Sequence, residues 1–256
     1  MEAVDSGKGG VFFLYGYGGI GKTFVWKTLS SALRSRGQIV LTVASSGMAS
    51  LLLPGDRTAH SRFAIPLNLD EFSTCNIKQG SSLAELIIKA KLIIRDEAPM
   101  VNRHCIEVLD KTMRDILRFS NNDSQEQLFG GKTMVFGGDF RQILPMIPKG
   151  SGEDIVNATI NLSYIWDGCK LLTLTKNMRL RADHTTEEKN SLKEFADWIL
   201  AIGDGKCGID KDGVEKFFIP NDILISDWDD LIVSICKAIY PEYVSNSNSN
   251  QGSLEE

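Results

Sequence analysis

The chain has 256 residues, 43% hydrophobic and 24% charged, with 28 Lys and Arg against 33 Asp and Glu for a formal charge of −5. That mixture supports one large globular domain or two small ones and excludes wholesale disorder, collagen and coiled coil. No apolar run reaches the roughly 20 residues that cross a bilayer, and MEAVDSGKGG at the N-terminus has no basic stretch leading into an apolar one, so the chain reads as soluble, unsecreted and without a membrane partner.

In chain order, GVFFLY (10–15) predicts a buried strand ending at glycines. From Thr23 the apolar spacing becomes helical through Phe24, Leu29, Ala32 and Leu33, and stops at Arg34, Arg36 and Gly37. IVLTVA (39–44), KLIIR (91–95), KTMVFGG (132–138) and KLLTLT (170–175) are strand-like, with helical stretches at 102–118 and 189–202. This alternation predicts an α/β fold, a parallel sheet with helices on both faces. The polar repeat SNSNSNQGSLEE (245–256) predicts disorder. Cys75, Cys105, Cys169, Cys207 and Cys236 are widely spaced with no CxxC, which argues against a zinc site or a disulfide framework and for buried free thiols. Residues 1–128 hold 15 basic and 13 acidic side chains and residues 129–256 hold 13 and 20, so the acidity is C-terminal and a polyanion partner for the first half stays open.

Gly16-Tyr-Gly18-Gly19-Ile-Gly21-Lys22-Thr23 fits GxxxxGK[ST] directly after a strand and at the start of a helix, the context a phosphate-binding loop requires. Its glycines turn backbone N–H groups toward phosphate oxygens, and the helix adds its positive dipole end. Lys22 is expected to reach the β and γ phosphates of a nucleotide, and the Thr23 hydroxyl to hold Mg²⁺. Downstream, Asp96 and Glu97 end a buried strand at the edge where ligands of α/β sheets bind. A magnesium-linked Asp96 beside a water-activating Glu97 is the division of labour that hydrolysis needs, whereas an isolated acidic pair is more simply a helix cap. In FGGDFRQ (136–142) Gln142 is placed to bond the γ-phosphate and water, while Asp139 and Arg141 read equally well as a solvated ion pair.

GYGGIGKT (16–23), ASSGMASLLLPGDRTAHSRFAIP (44–66), LIIRDEAPM (92–100), FGGDFRQILPMIPKG (136–150) and LTLTKNMRL (172–180) together resemble the Pif (petite integration frequency) DNA helicases of superfamily one, closest to the branch expanded in plants and Helitron transposons. The resemblance implies a RecA-like P-loop NTPase domain using ATP and Mg²⁺ to translocate 5′-to-3′ on single-stranded DNA with duplex separation. It implies DNA repair, recombination and telomere maintenance as settings, in the nucleus or the mitochondrion. It carries the phosphate and magnesium roles onto Lys22, Thr23 and Asp96, hydrolysis onto Glu97, nucleotide-to-DNA coupling onto Gln142, and a terminal-phosphate contact onto Arg179. Thr58, His60, Ser61, Arg62 and Phe63 resemble a DNA-contacting block with Phe63 available for stacking, although Phe63 reads also as core and His60 as a structural histidine.

Ile20 stands where the family usually has Thr, and Arg95 where it commonly has Trp or another apolar residue, leaving a cation at a buried strand end in need of a partner. The resemblance leads one to expect an upstream segment with an adenine-reading Gln, and residues 1–15 are not read as supplying it, so base selectivity stays open. WILAIGDGK (198–206), FIPNDILI (218–225) and AIYPEY (238–243) still resemble the family, and no second RecA-like domain is expected after them. The expectation is therefore the first motor domain at 8–180, a mostly helical continuation at 181–244 and the tail at 245–256. Such a chain is expected to bind Mg-ATP and, weakly, single-stranded DNA, with little hydrolysis and no unwinding unless a full-length helicase or second motor domain acts in trans. The alternative is a non-catalytic nucleotide- or DNA-binding remnant or interaction module; a small-molecule kinase does not account for the blocks at 44–66 and 136–150.

Overall fold

A computed structural model of the chain describes residues 1–55, 57–70, 72–119, 122–178, 185–206, 209–211, 214–216, 218–226 and 230–241. Five runs rich in β-branched and aromatic residues form one parallel sheet: β1 Gly10–Tyr15, β2 Ile39–Ala44, β3 Ala90–Asp96, β4 Thr133–Gly138 and β5 Cys169–Thr173, ordered β2-β3-β4-β1-β5. The register sets Tyr15 beside Gly138 and Ala44 beside Asp96, so Gly16, Ser45, Asp96 and Asp139 emerge along one edge of the sheet. The helices are α1 Glu2–Asp5, α2 Lys22–Arg34, α3 Gly47–Ser50, α4 Ala59–Phe63, α5 Ser82–Lys89, α6 His104–Leu117, α7 Gly152–Asn157, α8 Tyr164–Asp167, α9 Thr186–Gly203 and α10 Leu231–Ile239.

Alternation along the strands divides the core between the two faces. Phe13, Ile93, Met134 and Phe136 pack with Ile106, Leu109 and Met113 of α6, whereas Leu14, Leu92, Ile94 and Val135 pack with Trp26 and Leu33 of α2. Fully burying Phe13, Ile93 or Phe136 contributes about 1.5–3 kcal/mol each. The inward stripe of α2 is Trp26, Leu29, Ser30 and Leu33; Phe24, counted in the predicted stripe, is 72% exposed because it lies on the opposite side of the first turn. β5 is an edge strand with Leu171 and Leu172 exposed, although its sequence reads like that of the buried strands.

Asp110, fully buried on α6, knits this face together. It accepts from the Phe129 amide, from Arg114 Nε at 2.9 Å and from the Tyr164 hydroxyl at 2.7 Å, which satisfies a charge that would otherwise be costly to bury. Of the cysteines, Cys75, Cys105, Cys169 and Cys236 are free, with Cys75 and Cys105 buried, Cys169 half-buried and Cys236 exposed.

The chain forms two compact units, Met1–Phe195 and Ala196–Glu256. The described residues of the second unit include an antiparallel pair, β6 Ile209–Lys211 with β7 Val214–Lys216, and α10, which Asp230 caps by accepting from the Val233 amide at 3.0 Å. The polar tail at 245–256 lies outside the described residues. Among the described residues no helix is long and apolar enough to cross a membrane.

Candidate nucleotide and DNA site

The loop between β1 and α2 is built from packing that the motif alone does not specify. Ile20 is 3% exposed and turns back under the loop, and a Cβ at Gly16 would lie 1.9 Å from its Cδ1. Glycine at 16 leaves the room that the buried Ile20 side chain occupies beneath the loop. Gly16 N donates to Gly138 O at 3.1 Å, tying the loop to the end of β4. Gly18 is exposed at the loop's tip, and Gly21, at φ 95°, is the left-handed residue that starts α2. Lys22 is buried, and its ammonium donates to Gly16 O at 2.6 Å, so the cation sits inside the curl of the loop. Thr23 follows, half-buried, in the first turn of α2. Met178 N donates to Gly19 O at 3.0 Å, while Arg179 lies outside the described residues.

Asp96 ends β3 at 7% exposure. Gly137 on the neighbouring strand makes room for it, since a Cβ there would lie 2.9 Å from Asp96 Oδ1 and 2.4 Å from the Trp26 ring. Asp96 Oδ1 accepts from the Glu97 amide at 3.1 Å. Glu97 is left-handed (φ 53°, ψ 40°), an uncommon conformation for a side chain of this kind and one that clusters at functional sites. Its Oε2 is buried without a partner. Burial raises the pKa of both carboxyls, the Asp96 charge raises that of Glu97 further, and Lys22 pulls both down.

Among the described residues no three His, Cys, Asp or Glu side chains form a metal cage. Mg²⁺ is commonly held by one or two carboxylates together with substrate phosphates and does not require such a cage. The Thr23 hydroxyl and the Asp96 carboxylate are oxygen donors of the required hard character.

At the end of β4, Asp139 is 4% exposed, and its Oδ1 accepts from Arg141 N at 3.1 Å. The Arg141 guanidinium lies 3.6 Å away and over the Tyr15 ring, so the Asp139–Arg141 pair is a buried turn anchor on its Asp side rather than a solvated pair. The turn leaves Gln142 exposed, its amide bonded to Asp139 O at 3.2 Å. The predicted loop, acid pair and Gln142 segment thus follow the ends of three adjacent strands, β1, β3 and β4.

The block at 58–63 divides. Thr58 caps α4 by accepting from the Ser61 amide at 3.3 Å and bridges to Ala44 at the end of β2. Ser61 is exposed, and Arg62 is half-buried with Nε unpartnered, its pKa lowered by burial and by Arg57. Phe63 is not a stacking surface. One turn of helix puts Ala59 and Phe63 on the same inward side, and both are fully buried in the core. His60 is half-buried with Nε2 3.7 Å from Cys105 Sγ, and burial followed by the Arg95 charge lowers its pKa. Arg95 is fully buried; Nη1 reaches Cys105 O at 3.5 Å, while Nε and Nη2 have no partner. Among the described residues no carboxylate pairs with this buried cation.

Ser45, which follows β2, was missed: its hydroxyl donates to Glu97 O at 2.6 Å. The available signal was that IVLTVA and LIIRD are strands of one parallel sheet, so the residues after them meet. A cavity of about 610 Å³ lies under α1, lined by Val4, Phe12, Trp26 and Leu172 among others, but none of the predicted site residues lines it. The site is identified by its chemistry, not by depth.

The PIF1-like helicase family model matches residues 1–213. The ATP-dependent DNA helicase Pif1 of Psychrobacter sp. is 25% identical over 201 residues, 78% of this chain and 29% of that protein, and the protein of the same name from Campylobacter jejuni is 29% identical over 184 residues, 68% and 37%. Among solved structures, Bacteroides Pif1 bound to ssDNA superposes with a TM-score of 0.61 at 23% identity, covering 80% of this chain and 45% of that one. Pif1 helicase from Bacteroides in complex with ADP-AlF3 and ssDNA gives 0.59 at 24%, covering 78% and 45%. The chain therefore shares the fold of these solved proteins and spans less than half the length of the relatives it matches.

Proposed function

The chain belongs to the PIF1-like helicase family, and from that premise we propose that it is an ATP-hydrolysing motor domain that binds Mg-ATP at residues 16–23 and single-stranded DNA beside α4. The observation that carries this reading is the register of the parallel sheet, which gathers the phosphate loop, Asp96–Glu97 and the Gln142 turn along one edge. The loop amides and Lys22 take the β and γ phosphates, and Thr23 and Asp96 hold the cation. Mg²⁺, when bound, neutralises charge on the phosphate oxygens. Glu97, with a raised pKa and a spare buried oxygen, orients the attacking water and takes its proton. Gln142 reports the γ-phosphate to the DNA side, and Arg179 supplies a further cation to the terminal phosphate.

Thr58, Ser61 and Arg62, with Arg57 close by, supply hydroxyls and cations suited to a phosphate backbone. DNA affinity on this surface is electrostatic and falls with salt. Strand separation and its 5′-to-3′ direction are proposed only for the polypeptide working with a second motor domain, in cis or in trans, because one grip on DNA has to slide relative to another. The test is Mg-dependent ATP hydrolysis by wild type, Lys22→Ala and Glu97→Gln with and without oligo-dT. Wild-type turnover that rises with oligo-dT and is lost in both variants supports the reading; equal rates in all three end it.

A further inference from the structure

Ser45 joins two parts of the site that the sequence treats separately. Its amide donates to Asp96 O at 3.2 Å, and its hydroxyl donates to Glu97 O at 2.6 Å, with Asp96 O a second contact at 3.3 Å. The preceding residue, Ala44, faces the other way along the same ladder. Its amide donates to Arg57 O at 3.3 Å, and it forms a parallel bridge with Thr58. Three segments therefore run side by side: the acid pair, Ala44–Ser45, and Arg57–Thr58, the last continuing into the cap of α4.

The position matters because of the state of Glu97. Its left-handed backbone is strained for a residue other than glycine and persists only where surrounding bonds over-determine it. The Glu97 carbonyl accepts from Met100 N at 3.2 Å and from Ser45 Oγ, and only the second bond comes from outside the turn. A shift of Arg57–Thr58 that moves Ala44 therefore moves the group that holds the Glu97 backbone.

We propose that Ser45 is a positioning residue that fixes the Glu97 backbone and links it to the DNA-contacting segment at 57–62. The inference rests on the reading of Glu97 and α4 given above. By thermodynamic reciprocity, nucleotide then changes DNA affinity by the same factor that DNA changes nucleotide affinity.

Two measurements on the full chain test it. The first needs no ligand: amide hydrogen exchange at 97–101 accelerates at least about tenfold in Ser45→Ala, while Ser45→Thr, which keeps the hydroxyl, stays close to wild type. Unchanged exchange in Ser45→Ala, or loss of protection spread over the whole sheet, overturns the positioning role. The second is the ratio of oligo-dT dissociation constants without and with a non-hydrolysable Mg-ATP analogue. Wild type is expected to give a ratio of about five or more in either direction, Ser45→Ala a ratio within about twofold of unity with each separate affinity little changed, and Ser45→Thr the wild-type ratio. A wild type that binds both ligands with a ratio of one overturns the link while leaving the proposed function standing. A wild type that binds neither removes the proposed function itself, and the exchange result still decides whether Ser45 holds the Glu97 backbone. Should Ser45→Ala not fold, the wild-type ratio and Ser45→Thr exchange carry the decision.

Discussion

Asp96 and Glu97 put two carboxyls side by side at a buried strand end, and burial raises both pKa values. A carboxyl whose folded pKa lies above its unfolded value binds more protons in the folded state, so stability falls as pH rises from the ordinary carboxylate range, about 4, through the raised folded value. Glu97→Gln is therefore expected to melt higher than wild type at pH 7, with the gap closing toward pH 4, although it loses hydrolysis; a lower melting temperature at pH 7 contradicts this. Arg95 poses the opposite problem, a fully buried cation with two nitrogens unpartnered. Replacing buried charges with well-packed apolar groups is often neutral or stabilising by about 1–4 kcal/mol. Arg95→Met is accordingly expected to unfold at equal or higher urea concentration than wild type, and a loss of several kcal/mol would mean that an anion compensates the guanidinium. Both features were visible in LIIRDE, since charge at the end of an apolar strand is a sequence-level conflict. For Phe63 the sequence left stacking surface and core both open, because a five-residue helix carries too little periodicity to fix which side faces the core.

At the scale of elements, the four strand-like runs from β1 to β4 were legible because buried parallel strands read as unbroken apolar stretches. The same reading found β5 but not its place as an edge strand with its leucines exposed, since composition does not encode position within a sheet. The start of α2 was legible from the glycine loop, but its inward stripe runs through Trp26 rather than Phe24, which lies on the opposite side of the first turn. Asp110 on α6 carried no signal at all. Its partners Phe129 and Tyr164 lie 19 and 54 residues further along, so only the folded chain shows that one carboxylate joins α6, the turn at 128–131 and α8. Asp110→Ala leaves Arg114, the Tyr164 hydroxyl and a buried amide without their acceptor and is expected to cost about 3–5 kcal/mol by urea denaturation. A cost below 1 kcal/mol would show that these groups find other partners. Tyr164→Phe, which removes only one donor, is expected to cost about 0.5–1.5 kcal/mol.

For the whole molecule, the net charge of −5 hides a division of labour. The half that carries the phosphate loop and the proposed DNA block is nearly balanced, and the acidic excess lies beyond it. Composition allowed one domain or two, and the chain resolves into a sheet-centred unit with the site along one edge and a second unit from Ala196. The site itself draws on residues from 16 to 142, brought together only by strand order, which is why its parts were legible as motifs but the Ser45 link between them was not. The central claim is that this edge is a Mg-nucleotide site with Lys22 inside the loop and Glu97 acting on water. Titration of a fluorescent ATP analogue tests it most directly: saturable, Mg-dependent binding weakened at least tenfold in Lys22→Ala and retained in Glu97→Gln is the predicted result, and equal binding by wild type and Lys22→Ala would contradict it.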